Sequence, residues 1–232
     1  MLRMAPLETI AVASSTVENY LKQLYLEEHS TGKSIVPMGR LAELMKVVPG
    51  TATAMVKALA DSGLVRYSPR AGVRLTPAGN QLALHVLRRH RLVELFLVKI
   101  VGFDWSEVHD EAEELEHVIS EKLLERIDSL LGHPTVDPHG DPIPTAGGHV
   151  AYPAADDFVN CPLRRRVQIV RILDQQPRFL QFVNQCGLLP GTRVQVSERN
   201  PQADSVSILL EGKSPLTLST AAAAKFQVKP VA

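Results

Sequence analysis

The sequence predicts a mainly α-helical protein that ends in a small all-β domain. Three observations carry that expectation. Apolar residues recur at helical spacing through the first 130 residues. A stretch over 132–162 then breaks the pattern with Pro134, Pro138, Pro142, Pro144, Pro153, Pro162 and four glycines. Beyond about 163 the chain changes to short alternating runs, "RRVQIVRIL", "TRVQVSE", "DSVSILLEG" and "PLTLST", the spacing of strands in a small β-barrel. At 232 residues and 45% apolar content, the chain can build two or three small domains with real cores. The divisions expected are 1–75, 76–150 and 151–232.

The first helix is expected over about 16–28, with Ser15 and Glu18 as a capping box and Val17, Tyr20, Leu21 and Leu24 as its apolar stripe. "PMGRLAELMKV" and "GTATAMVKALADSGLV" read as two short helices joined by "VPG", the second closed by Gly63 as a left-handed cap. "LVRYSPRAGVRLT" alternates apolar and basic residues around a turn, as a hairpin does. Thr76 as N-cap and Pro77 at the first helical position open a long helix to about Val101, ended by Gly102. A further helix is expected over about 106–131, ended by Gly132.

Lys+Arg and Asp+Glu are equal at 25 each, but their distribution is uneven. Residues 36–91 carry a net charge of +7, and residues 104–128 a net charge of −8. A basic module followed by an acidic one points to one anionic and one cationic partner. In the basic module, helix, turn, helix and basic hairpin follow in the order of a winged helix-turn-helix. Small residues at the start of "GTATAMVKALAD" let that helix lie deep in a major groove, with Thr51 and Thr53 near base edges and phosphates. Lys57 reaches the backbone one turn on, and Arg66, Arg70 and Arg74 on the hairpin suit phosphates; Arg40 adds a cation on the preceding helix. The competing reading is a protein-binding winged fold with solvated arginines. The helices carry no base-reading Arg, Asn or Gln, so specificity would rest on van der Waals contacts, thymine methyls and DNA shape.

The acidic module holds "VHDEAEELEHVI" over 108–119. Most charge runs are solvated faces. At about 100° per residue, however, His109, Glu113, Glu116 and His117 share an arc of roughly 100°, and all four can ligate a borderline or hard divalent cation. On the preceding helix His90 and Glu94 are four apart and share a face, either as a surface pair or as ligands facing His109. His85 has no partner at ligand spacing, and His133, His139 and His149 read as loop histidines. Cys161 and Cys186 are too few for a disulfide framework and read as structural. No apolar run reaches the ~18–20 residues that cross a bilayer, and "MLRMAPLETIAVASS" is too weakly apolar for a signal peptide. The expectation is a cytoplasmic protein with a short disordered start and no membrane partner.

The run "RRHRLVELFLVKIVGFDWSEVHDEAEELEH", behind a winged helix-turn-helix and ahead of "GDPIP" and a small β-barrel, resembles the diphtheria toxin repressor family. The resemblance runs in order along the chain from about residue 15. It implies a metal-activated transcriptional repressor: a homodimer that binds a palindromic operator in double-stranded DNA, with an SH3-like third domain. It also implies a primary metal site of Glu113, Glu116 and His117 with Asn19 from the first helix, and an ancillary site of His90, Glu94 and His109. The SH3-like domain would add Asp174, or Gln175 beside it. The iron-responsive members have Cys where this chain has Glu113, and Met where it has Asn19. Both replacements are oxygen donors and point to Mn²⁺, with Fe²⁺ as the alternative. Binuclear manganese regulators have a carboxylate where this chain has Lys22, which cannot ligate, so separate sites are expected. An enzyme using a two-metal carboxylate–histidine cluster is the rival from another class. It lacks Glu-x-x-His on each of two helices and leaves the winged helix without a role. A metal-buffering protein without DNA binding is a third reading.

Overall fold

The computed structural model describes residues 14–231, so the expected disordered start lies outside the described residues. The chain divides into two compact units. The first comprises residues up to Arg88 together with Pro144–His149, and the second Arg89–Ile143 with Val150 onward.

In the first unit, α1 (Ser15–Thr31) begins at Ser14, whose side chain accepts a hydrogen bond from the Val17 amide at 3.4 Å. The cap is thus one residue earlier than expected, and the helix runs three residues further, to a left-handed Gly32. Helix α2 (Met38–Leu44) and helix α3 (Pro49–Asp61) follow. Pro49 and Gly50 belong to the first turn of α3 rather than to the joint, because proline is preorganised for the first helical position and lacks only an orphan N–H. Strands β1 (Val65–Ser68) and β2 (Gly72–Leu75) form the hairpin, with Arg66 opposite Arg74. Val36 bridges Val73 on the other side of β2. Gly72 is required there, since it sits at φ 132° and a Cβ would collide with the Val36 carbonyl. Leu21, Leu24, Leu41, Val56, Leu59 and Val73 are buried, and Glu28 of α1 accepts the Leu75 amide at 3.0 Å, fastening the hairpin to the helices.

Helix α4 (Pro77–Phe96) starts as expected, with the Thr76 hydroxyl accepting the Gly79 amide at 3.1 Å. It passes into a π-helical turn, Leu97–Val101, and stops at Gly102, φ 91°. The helix expected over 106–131 is two helices, α5 (Val108–Leu115) and α6 (Glu121–Leu130). Ser120 makes the break: its side chain accepts the Leu123 amide at 3.3 Å, starting a new helix with Glu121 in the favourable first turn. One small core joins Leu92 and Leu95 to Leu124, Ile127 and Ile143; another joins Val93 and Leu97 to Val108 and Ala112. Burial of these faces fixes α4 against α5 and α6.

The alternating runs form one antiparallel sheet. Its strands are β3 (Asp156–Asp157), β4 (Arg166–Ile172), β5 (Arg193–Asn200), β6 (Ser205–Leu210), β7 (Leu216–Ser219) and β8 (Phe226–Pro230). They are ordered β3-β8-β4-β5-β6-β7, with bulges in β4 and β5 that bend the strands. Inward residues Val167, Ile169, Val194, Val196, Ile208 and Val228 make one core. Helix α7 (Pro177–Cys186), not foreseen from the alternating pattern, buries Leu180 and Val183 in it, and a short α8 (Thr220–Ala223) precedes β8.

Candidate metal centre and nucleic-acid interface

The second unit gathers eight potential ligands. His90 and Glu94 come from α4, and His109 and Glu113 from α5. Glu116 and His117 follow its last turn, and Asp137 and His139 lie on the proline-rich loop. His90 is a hub: Nε2 lies 3.0 Å from Glu94 Oε1, and Nδ1 lies 2.6 Å from Glu116 Oε2 and 3.9 Å from Glu113 Oε1. His109 Nδ1 approaches the same Glu94 Oε1 at 3.4 Å, and its Nε2 lies 3.7 Å from Glu113. His117 Nε2 lies 3.4 Å from Glu116 Oε1. Three sets bring their ligand atoms within 4.8 Å of one another: His90, His109 and Glu113; Glu113, Glu116 and His117; and Glu94, Asp137 and His139.

The third set was not visible in the sequence. Here His139 is fully buried, with Nε2 at 2.8 Å from the Trp105 carbonyl. That oxygen only accepts, so Nε2 carries the proton and Nδ1 presents a lone pair. Nδ1 faces Glu94 Oε2 at 3.8 Å, and neither atom has a hydrogen-bond partner among the described residues. Two buried acceptors facing each other are stable only with a cation or proton between them. Their separation falls in the roughly 3–4.4 Å span of two ligands on one ion at about 2.1–2.2 Å. Burial works to raise the Glu94 carboxyl, but the charge of His90 and hydrogen bonds from His109 and His90 hold it well below the usual carboxylate range. Asp137 is pushed well above its ordinary value by burial and by the negative charges of Asp141 and Glu94. A carboxyl whose charge is so disfavoured in the metal-free protein is an oxygen donor that a cation bound beside Glu94 and His139 would compensate.

The β domain fixes this loop. The Ile172 amide bonds the His139 carbonyl at 2.9 Å. Gly140, at φ 89°, lies so close to the Val170 carbonyl that no Cβ fits. Asp137 Oδ1 accepts the amides of His139 and Asp141 at 2.8 and 2.9 Å, which sets the turn. Asp141 is held by Arg91 at 3.3 Å, by Arg171 and by the Gln175 side chain at 2.6 Å. Asp174 stands apart from all three ligand sets, with Lys225 at 2.6 Å from its carboxylate and the Gln176 amide at 2.9 Å.

Asn19 lies on α1, in the first unit. Its Oδ1 is shielded from solvent and takes no hydrogen bond among the described residues. Lys22, one turn on, is buried, as is Glu18. In the same unit Thr51, Lys57, Arg66 and Arg70 are exposed, and Arg70 stands at the tip of the hairpin with φ 68°. Thr53 is half-buried and gives its hydroxyl to the Pro49 carbonyl at 2.8 Å. Arg40 is exposed but held by Glu27 at 2.9 Å and Glu43 at 3.5 Å. Arg66 and Arg74 sit directly opposite each other on the hairpin. A like-charged cross-strand pair costs stability.

Residues 13–73 match the family described as "Iron dependent repressor, N-terminal DNA binding domain". Residues 76–145 match "Iron dependent repressor, metal binding and dimerisation domain", and 159–230 match the FeoA domain. The iron-dependent repressor IdeR of Mycobacterium tuberculosis is 34% identical over 217 residues, covering 88% of this chain and 92% of that protein. The diphtheria toxin repressor of Corynebacterium glutamicum is 34% identical over 194 residues, covering 78% and 83%. A solved manganese-dependent transcriptional repressor in complex with manganese superposes with a TM-score of 0.82 at 36% identity, covering 93% of this chain and all of that one. The manganese regulator SloR gives 0.74 at 29% identity, covering 93% and 98%. Among the described residues no helix is long and apolar enough to cross a membrane. The chain belongs to the diphtheria toxin repressor family of metal-dependent, DNA-binding transcriptional repressors, and it is not an enzyme.

Proposed function

We propose that this repressor responds to Mn²⁺ and, as a homodimer, binds a palindromic operator in the cytoplasm. The observation that carries the choice of metal is the donor set. Carboxylate and imidazole are gathered without a single thiolate, since Cys161 lies in the β-domain core and Cys186 on α7, and the family resemblance adds the amide oxygen of Asn19. Such a set suits a hard ion that prefers oxygen. The primary site comprises Glu113, Glu116 and His117, completed by Asn19. The second is centred on Glu94, with His139 facing one oxygen, His90 and His109 the other, and Asp137 grouped with Glu94 and His139; Asp174 is left to its pair with Lys225. The bound ion supplies the positive charge that lets these carboxylates converge. His90, touching both Glu94 and Glu116, ties the two sites together. Asn19 makes the orientation of the DNA-binding domain depend on the primary site. By linkage, operator DNA then tightens metal binding by the same factor as metal tightens DNA binding.

The dimer surface in this reading is the outward side of α6 and the turn before it. Val118, Leu123 and Leu130 are 76, 52 and 62% exposed, an apolar row that a second copy would cover.

The test of metal choice is anaerobic operator binding with Mn²⁺ and Fe²⁺ for wild type and Glu113→Cys. The thiolate should shift activation toward Fe²⁺ and Cd²⁺ relative to Mn²⁺, and Asn19→Met in addition should shift it further. An unchanged preference in the double variant would place Glu113 outside the coordination sphere and remove the basis for Mn²⁺.

A further inference from the structure

The β domain carries a basic surface that the metal-responsive reading leaves without a role. Val167, Val194 and Val228 turn inward, so their neighbours Arg166, Gln168, Arg193, Gln195 and Lys229 point outward. Register places them side by side across three strands: Gln168 opposes Arg193 on one side and Lys229 on the other, and Arg166 opposes Gln195. Arg164 and Arg165 extend the cationic row at the start of β4, where the Arg164 amide bonds the Val196 carbonyl at 2.8 Å. All five cations are exposed. Glu211 lines the same hollow as Arg166 and Arg193, yet among the described residues no carboxylate lies within ion-pairing distance of any of the five. Neighbouring strands lie about 4.8 Å apart, so this is a row of like charges at roughly 7–10 Å, which opposes folding through mutual repulsion. Each can engage a separate phosphate, and the interleaved glutamines supply donors for phosphate or sugar oxygens.

We propose that this face of β8–β4–β5 binds the phosphate backbone of duplex DNA, as a second contact independent of the winged helix. Charge complementarity selects a polyanion. The outward positions at its centre, Gln168 and Gln195, are polar, and the apolar Leu163 and Leu209 stand only at its edges, which favours nucleic acid over a lipid surface. The contact is sequence-independent and follows counterion release. It rests on no metal ligand, so it can fail while the metal-responsive reading stands.

The test uses the full-length protein at saturating Mn²⁺ and a mixed-sequence duplex of about four helical turns, roughly 40 bp. Affinity is measured from 50 to 200 mM KCl for wild type and for Arg166→Gln/Arg193→Gln/Lys229→Gln. Losing three phosphate contacts should flatten the slope of log affinity against log salt by about 2–3 and weaken binding on the order of tenfold or more at the lowest salt. The control Lys99→Gln/Arg178→Gln/Lys213→Gln removes equal charge elsewhere and should keep the wild-type slope. An unchanged slope in the first variant, or equal flattening in both, overturns the proposal. So does a variant that loses binding only to phosphatidylserine vesicles, which would make the face a lipid contact.

Discussion

The exposed hairpin and the buried ligand cluster are both made of charged residues, but they are built on opposite physics. Lys57, Arg66, Arg70 and Arg74 stand in solvent, and among the described residues none forms an ion pair. Their attraction for phosphate is long-ranged, additive and screened by salt. Glu94, Glu116 and His139 are fully buried, with His90 and Asp137 nearly so. Their interactions are short-ranged and mutually dependent, and an unmet group there carries a full desolvation penalty. Loss of one hairpin cation should therefore be graded, whereas loss of one cluster member should be close to all-or-none.

The largest expected effect lies where the proposed metal response would couple the two regions. In the function proposed above, His117→Ala removes a primary ligand, the imidazole beside Glu116, and with it the proposed route to the DNA-binding domain. The metal response of operator binding should fall on the order of 100-fold, the upper part of the range typical of allosteric coupling. DNA affinity without metal should stay unchanged. A variant that still responds to Mn²⁺ would show that the helix cluster and the DNA-binding domain are not joined through this site.

The second site sharpens the contrast. Asp137→Asn and His139→Ala should each reduce the Mn²⁺ bound per chain while leaving operator binding within about tenfold of wild type, since neither touches the primary ligands. At a metal concentration 100 times the dissociation constant, one site adds about 2.7 kcal/mol of stability. That increment should vanish in thermal melts of both. The metal-free proteins should differ from each other. Burial and the nearby Asp141 and Glu94 already disfavour the Asp137 charge, so Asn there should not lower the melting temperature. His139→Ala empties a fully buried position and frees the Trp105 carbonyl, and should cost a few kcal/mol. Equal melting temperatures for the two metal-free variants would contradict the buried-charge account.

How legible each part was follows from how local its determinants are. The winged helix-turn-helix is written in short-range patterns: Thr76 and Pro77 at a helix start, Gly63 after a helix end, alternation in the hairpin. Each element could be placed from its own residues. The break between α5 and α6 was equally local, but the charge run through 116 masked Ser120, whose pairing with Glu121 is an ordinary helix start. Helix α7 was overlooked similarly, although Pro177 and Gly187 bracket it, because the surrounding alternation suggested only strands. Asp137 and His139 are a different case. They reach Glu94 from more than forty positions away, across a segment whose composition says only that it is irregular. Spacing along one helix could not reveal them. The signal available was Asp137, His139 and Asp141 alternating around Gly140, an unusual density of titratable groups for a linker.

Dimerisation tests the apolar counterpart of this contrast. Leu130→Glu should shift the protein toward monomer in sedimentation and weaken operator binding through loss of the second half-site. The monomer should keep its fold, because Leu130 is 62% exposed and joins neither helical core. A variant that remains dimeric would move the interface elsewhere.

The smallest effect is expected at the hairpin. Arg66→Ala removes one phosphate contact, so the slope of log affinity against log salt should flatten by about 0.9. Affinity should weaken severalfold, equally for operator and mixed-sequence duplex, because a phosphate contact carries no base information. Stability should move the other way. Arg66 faces Arg74 across the strand pair, and relieving like-charge repulsion between opposed residues contributes roughly 0.2–1 kcal/mol, against a small loss of β propensity in alanine. The melting temperature should hold or rise slightly while DNA binding weakens. A residue retained for folding would do the reverse, and a change in sequence preference would mean that the hairpin reads bases. Either outcome would dissolve the distinction between an exposed surface that works by summed charge and a buried cluster that works by completeness.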